Sequence, residues 1–383
     1  MGFISVKFLL LILPFYWLFL RRGGETFDLT HKEVVLLLVV TAYVTLGVSF
    51  SVYRHNSLSF GADILTMLLF LFVVRRDRHI SRGVAEVIGI VFNVISSMIL
   101  SLTLIFYVGH HCSVMSLGFE NMTDFKLLYR PLFMLCNDNA TLLLCLLPFL
   151  TLMSLSSWKM RIWSAANMSM CVAAVLFSYS RGTYIAAVVF ILVSLMFCIL
   201  HKKKIVGHAL VLMTATTLPS VVTVICSDSI RESVMTTATM LGTESQKRSF
   251  ESRIERLRGV ADSGESILCG AGEGNYFVSS LAHKTEYDTL VSASSNNGFL
   301  QLWKERGLVG LAFLAYIIML CSVPSMKRIR KGDVVAILMT AGAVSLIVRE
   351  MSFASLTRVT PVFFLGAVMI MLSSKRPKYE EAE

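Results

Sequence analysis

Charge is what this chain has least of. Of its 383 residues only 16% are Asp, Glu, Lys or Arg, against about 25% in ordinary soluble domains. With 55% hydrophobic residues and a mean hydropathy of +0.70, it lacks the polar surface that a water-soluble fold of this size requires. That excludes an ordinary soluble enzyme and reads as a polytopic membrane protein. No Pro/Gly/Ser-rich linker and no tandem repeat divides the sequence, so a string of modules is excluded too. The eight cysteines show no CxxC spacing and mostly fall in apolar runs. They read as small hydrophobes, not as a disulfide framework or a metal site. A bridge between Cys112 and Cys269 stays open if both face the outer compartment. The first apolar run has no small-residue cleavage site, so it is expected to be a retained helix.

Acidic residues are scarcer than basic ones, 25 against 35, giving a net charge of +10. The surplus does not point to nucleic acid, because the Lys and Arg sit in short clusters between apolar runs. That is the positive-inside pattern of membrane proteins.

Apolar runs of spanning length occur near 3–20, 34–52, 58–74, 84–108, 132–155, 163–179, 183–200, 205–226, 308–325, 334–349 and 357–373. The expected fold is therefore an all-α polytopic bundle with roughly 11 spans, 10–12 at the bounds. Basic clusters at 75–82, 158–161, 201–204, 327–331 and 375–378 are assigned to the cytoplasm. The three regions are 1–226, N-terminal membrane helices; 227–307, a long outer loop; and 308–383, C-terminal helices with a cytoplasmic tail. The C-terminus is expected inside, and the N-terminus outside if the number of spans is odd. The loop is the one long polar stretch. Residues 227–294 hold 7 Lys/Arg and 10 Asp/Glu, so it is acidic within a basic chain.

Five motifs carry candidate chemistry. Ser180-Arg181-Gly182 lies between two spans. Its guanidinium either snorkels to headgroups or offers a fixed fork for phosphate oxygens. In 247–260, Phe250, Ile254 and Leu257 mark a short amphipathic helix, with Arg253 and Arg256 one turn apart. These two are either paired with Glu251 and Glu255 or form a second phosphate clamp. Gly270, Gly272 and Gly274 have no βαβ context and read as a tight turn near the site, not a nucleotide loop. Asn296 and Asn297 precede a segment in which Leu300, Trp303, Gly307 and Leu311 share a helical face; a capped helix start explains them equally well. Asn137, Asp138 and Asn139 open a span, and Arg349 and Arg358 sit near the ends of the last two, where polar groups need a bundle interior or water. Three Asn-x-Ser/Thr triplets, at Asn121, Asn139 and Asn167, are ascribed to chance.

The order of these motifs resembles the O-antigen ligase and O-antigen polymerase superfamily of bacterial inner-membrane glycosyltransferases. The match runs over roughly 130–373: an Asn-Ala span with a later Pro, Ser-Arg-Gly at a span end, and Ser-Arg and Gly-x-Gly-x-Gly-Asn in a long loop. Asn-Gly-Phe-Leu, Glu-x-Gly-Leu-Val-Gly-Leu and a late Arg follow. The resemblance implies a GT-C-type helix bundle with a periplasmic loop. The donor is an oligosaccharide on undecaprenyl diphosphate, the setting is the inner membrane, and the active face is periplasmic. It implies no cofactor, no metal and no nucleic acid, with a chain-length regulator protein as a further partner. By motif, Arg181 and Arg253 would hold the donor diphosphate, with Arg256 and Arg349 adding positive charge. Asn296, Asn297 and His283 are the catalytic candidates.

One departure matters. Ligases of the superfamily carry His-Asn where this chain has Asn296-Asn297, and an amide cannot take a proton at neutral pH. His283, Glu273, Glu305 and Asp138 are the alternative bases. The departure favours a polymerase, which joins a glycan to a lipid-linked repeat unit, over a ligase, which transfers it to lipid A-core. A lipid-linked sugar transporter or flippase is a third reading. Transporters place polar groups near the bilayer midplane, whereas here they gather at one face.

Overall fold

The computed structural model describes residues 136–155, 157–177, 180–200 and 297–351 as continuous runs, apart from some side chains within them. It also describes isolated positions within 34–49, 90–98, 217–235, 267–270 and 366–372. Five helices result: α1 (Cys136–Met153), α2 (Trp158–Phe177), α3 (Arg181–Leu200), α4 (Gly298–Arg330) and α5 (Val334–Glu350). No strand occurs among the described residues. The expected all-α class holds there. Also among the described residues, no helix is long and apolar enough to cross a membrane.

α1 is the hub. Every residue from Ala140 to Leu150 is buried, as befits a helix that is apolar all round. α2, α5 and α3 all pack on it. Pro148 lies within α1 and cannot donate a backbone hydrogen bond. α5 passes close to α1 at this point. A Cβ on Gly342 would strike the Pro148 ring, and would come within 2.7 Å of the Met369 sulfur. Glycine at that position lets two helix surfaces meet without an intervening side chain.

Among the described helices, α3 and α5 make the most extensive contact, and they run antiparallel. Phe197, near the end of α3, packs on the cluster of Ile329, at the end of α4, with Ala336 and Ile337, at the start of α5. Parallel helices would separate these groups by most of a helix length. Stepping back about thirteen residues, roughly 20 Å at 1.5 Å per residue, brings α3 to Tyr184 and α5 to its last turn. The start of α3 and the end of α5 therefore share one end of the bundle.

The opposite end is closed by a polar turn. Arg328 Nε donates to Asp333 Oδ2 at 2.8 Å, and Nη1 donates to the Leu372 carbonyl at 2.5 Å. Asp333 Oδ1 accepts from the backbone N–H of Val335 (2.9 Å) and Ala336 (3.3 Å), capping α5. Of the expected cytoplasmic cluster 327–331, Lys327, Arg330 and Lys331 are exposed and Arg328 is buried. A separate buried network joins α2 to the 90–98 region. Asn167 Nδ2 donates to Asn93 Oδ1 (2.9 Å), Asn93 Nδ2 to Ser164 Oγ (3.1 Å), and Ser97 Oγ to Asn167 Oδ1 (2.9 Å). Asn167 is thus helix–helix glue, consistent with its triplet being chance.

Candidate functional site

α3 starts at the Ser-Arg-Gly motif. The Ser180 carbonyl accepts from Thr183 N (2.9 Å) and Tyr184 N (3.1 Å), and Thr183 Oγ1 donates to Ser180 Oγ at 2.9 Å. The buried serine thereby anchors the first turn. Arg181 follows it, half-buried, so its positive charge adds to that of the helix N-terminus.

α4 is not one straight helix. Gly307 has φ 63° and ψ −162°, a conformation open to glycine and strained for other residues. A short arm, 298–306, is thereby broken from a long arm, 308–330. The face expected to run through Leu300, Trp303, Gly307 and Leu311 consequently does not continue past Gly307, because the helix axis changes there. The break frees backbone groups that need partners. Leu308 N donates to Ile267 O (2.9 Å) and Val309 N to Leu268 O (3.3 Å). The Tyr43 hydroxyl donates to Arg306 O at 3.2 Å. Next to this contact, Gly270 has φ +67°, and a Cβ there would lie 2.6 Å from backbone atoms of Lys304, Glu305 and Arg306. The glycine-rich stretch thus does make a tight turn at Gly270, seated on the short arm of α4. Gly272 and Gly274 lie outside the described residues.

At the head of the short arm, Asn297 is the N-cap. Its Oδ1 accepts from Leu300 N at 3.0 Å, and its Nδ2 donates to the Met351 carbonyl at 3.3 Å. One side chain both caps α4 and ties it to the end of α5. Gly298 makes the second tie, since the Glu350 carboxylate lies directly against it. Along the same arm Gln301, Lys304 and Glu305 are buried, and Gln301 Nε2 donates to Glu305 Oε1 at 3.0 Å.

Arg349 and Glu350 end α5 with relative exposures of 1% and 0%. A cation in the last turn of a helix is favoured by the backbone dipole. One end of the bundle therefore gathers the start of α3 with Arg181, the start of α4 with Asn297, and the end of α5 with Arg349 and Glu350.

Asn296, His283, Arg253 and Arg256 lie outside the described residues, as do the side chains of Asn137, Asp138 and Asn139. The sequence reading overlooked Glu350. Its neighbour Arg349 was singled out for charge, and the signal available was an acidic residue at a helix end facing an Asn-Gly pair far away in the chain.

These features define a class: an all-helical bundle with a cationic, amide-bearing end assembled from three helix termini. Residues 165–315 match the family model described as O-antigen ligase, and this match supports placing the chain in the O-antigen ligase and polymerase superfamily. No curated protein matches the chain. The matched segment holds Arg181 and Asn297 but ends before Arg349 and Glu350.

Proposed function

We propose that this protein is a bacterial inner-membrane polysaccharide polymerase working at the periplasmic face. It transfers a glycan from undecaprenyl diphosphate to a lipid-linked repeat unit, in the assembly of lipopolysaccharide O-antigen. The observation that carries the reading is the convergence of Arg181 and Asn297, both within the family-matching segment, with Arg349 at one bundle end.

A membrane setting is supported by α3. Ile185, Val188, Leu192, Met196 and Ile199 recur at helical spacing and are all exposed. Tyr184, Ala187, Phe190 and Ser194 on other faces of the helix are buried. Apolar surface costs about 25 cal/mol per Å² in water, and hydrocarbon removes that cost.

In the proposed reaction an acceptor hydroxyl oxygen attacks the anomeric carbon of the donor glycan. The carbon–oxygen bond to the diphosphate breaks, and undecaprenyl diphosphate leaves with the bonding electrons. The hydroxyl proton passes to a base, for which His283, Glu273, Glu305 and Asp138 are the candidates. Arg181, Arg253, Arg256 and Arg349 neutralise the departing diphosphate, whose charge is the main electrostatic demand of the step. Asn296 and Asn297 orient the acceptor.

Ligation to lipid A-core is the second reading, favoured by the description of the matching family. Glycan length on lipopolysaccharide in a deletion strain separates the two. Single repeat units on the core, with a ladder restored by the native chain, is the outcome expected of a polymerase. An empty core with long lipid-linked chains accumulating identifies a ligase. Product made in detergent, without a sealed membrane, excludes a transporter.

A further inference from the structure

Gly298 stands in the first turn of α4, in ordinary helical backbone, where alanine is intrinsically the better residue. It is not among the glycines with positive φ. The three nearest atoms that a side chain there would meet all belong to one residue, Glu350. A Cβ on Gly298 would overlap Oε2 of Glu350, with the Glu350 Cδ and Cβ at 3.1 and 3.3 Å. The carboxylate is fully buried and lies against the N-terminal turn of the short arm of α4. Helix N-termini present free N–H groups and partial positive charge to such an anion.

Beside it, the Asn297 amide donates to the carbonyl of Met351, the residue after Glu350. Two consecutive residues of α4 are therefore held by two consecutive residues at the end of α5. The Gly307 break leaves the short arm only nine residues long, with no straight continuation to fix its direction. Its orientation depends on its two ends, Gly270 on the backbone at 304–306 and Glu350 on Gly298.

We infer that Glu350 is a positioning residue. By holding Gly298, it seats the head of α4, and with it Asn297, against the α5 end that carries Arg349. This deepens the glycan-transfer reading and rests on it. Glu350 itself need not touch substrate.

A two-residue cycle in the full-length protein tests it, using Gly298→Ala, Glu350→Ala and the double variant, each purified in detergent. In the native background Gly298→Ala lowers the unfolding temperature by about 2–6 °C, the scale of a small overpacking penalty. In the Glu350→Ala background the same change leaves it level or raises it, because the obstructing carboxylate is gone and helix propensity alone remains. With a lipid-linked oligosaccharide as substrate, each single variant loses at least about tenfold in kcat while the donor KM stays within about twofold. The double variant is no slower than Glu350→Ala alone.

Equal temperature shifts from Gly298→Ala in both backgrounds would overturn the contact. Coupled temperatures with a native kcat in Glu350→Ala would overturn the positioning role. If Gly298→Ala does not fold, comparison of the double variant with Glu350→Ala alone still decides: a lower unfolding temperature in the double variant overturns the contact. Should the native chain form no glycan product, the proposed function fails, while the temperature cycle still reports whether Glu350 holds Gly298.

Discussion

Gly342 of α5 lies so close to Pro148 of α1 that no side chain fits between them. Gly342→Ala adds one methyl group against the rigid proline ring, which cannot swing away, and against the more adaptable Met369 side chain. Overpacking of this kind costs about 1–3 kcal/mol. The expected outcome is a lower unfolding temperature in detergent, with Gly342→Leu failing to yield folded protein. An unchanged unfolding temperature for Gly342→Ala would show that the helices separate at little cost.

Arg181 is the second prediction. Its half-buried position at the head of α3 suits an anion approaching the bundle end. Arg181→Ala should leave expression and unfolding temperature near native while abolishing the O-antigen ladder in a complemented deletion strain. Arg181→Lys should recover only part of it, since a point charge replaces a two-pronged fork. Full complementation by Arg181→Ala would make the residue a snorkelling anchor instead of a diphosphate clamp.

At the other end, Arg328 and Asp333 form a largely enclosed ion pair, with side chains 9% and 16% exposed. Removing one partner of a buried pair costs about 3–5 kcal/mol, because the other charge is left behind. Asp333 also caps α5. Asp333→Ala should therefore destabilise more than Asp333→Asn, which can still cap. Thermal unfolding of the two variants beside Arg328→Ala checks the order.

Gly270→Ala places a side chain in a left-handed backbone conformation and against three backbone atoms at 2.6 Å. Neither problem can be relieved by a rotamer change, so the turn must move off the short arm of α4. The expected result is faster protease cleavage within 260–280 in the folded protein and a loss of glycan-forming activity. Native cleavage rates would mean that the turn is not held on α4.

Much of the architecture was legible in local sequence. Long apolar runs such as 183–200 announce helices because no charged residue interrupts them, and α3 spans 181–200. Basic residues marked helix ends, although Arg328 proved to be an enclosed structural cation, a distinction that depends on the Leu372 carbonyl and on Asp333 folding back to meet it. Asn297 could be read either as a cap or as a site residue, and its cap is visible, since the Oδ1 bond to Leu300 is local in sequence.

The sequence by itself determined the all-helical class, the helix positions and the motif order that points to glycan transfer, because each rests on neighbours in the chain. Only the tertiary structure decided which ends meet. Gly307 breaks α4, and the head of α4 returns to Met351 and Glu350, more than fifty residues away. Contacts at that separation leave no periodicity in the chain. They arise from the Asn297 amide reaching the Met351 carbonyl and from a buried carboxylate lying against Gly298, and only the folded molecule brings these groups together.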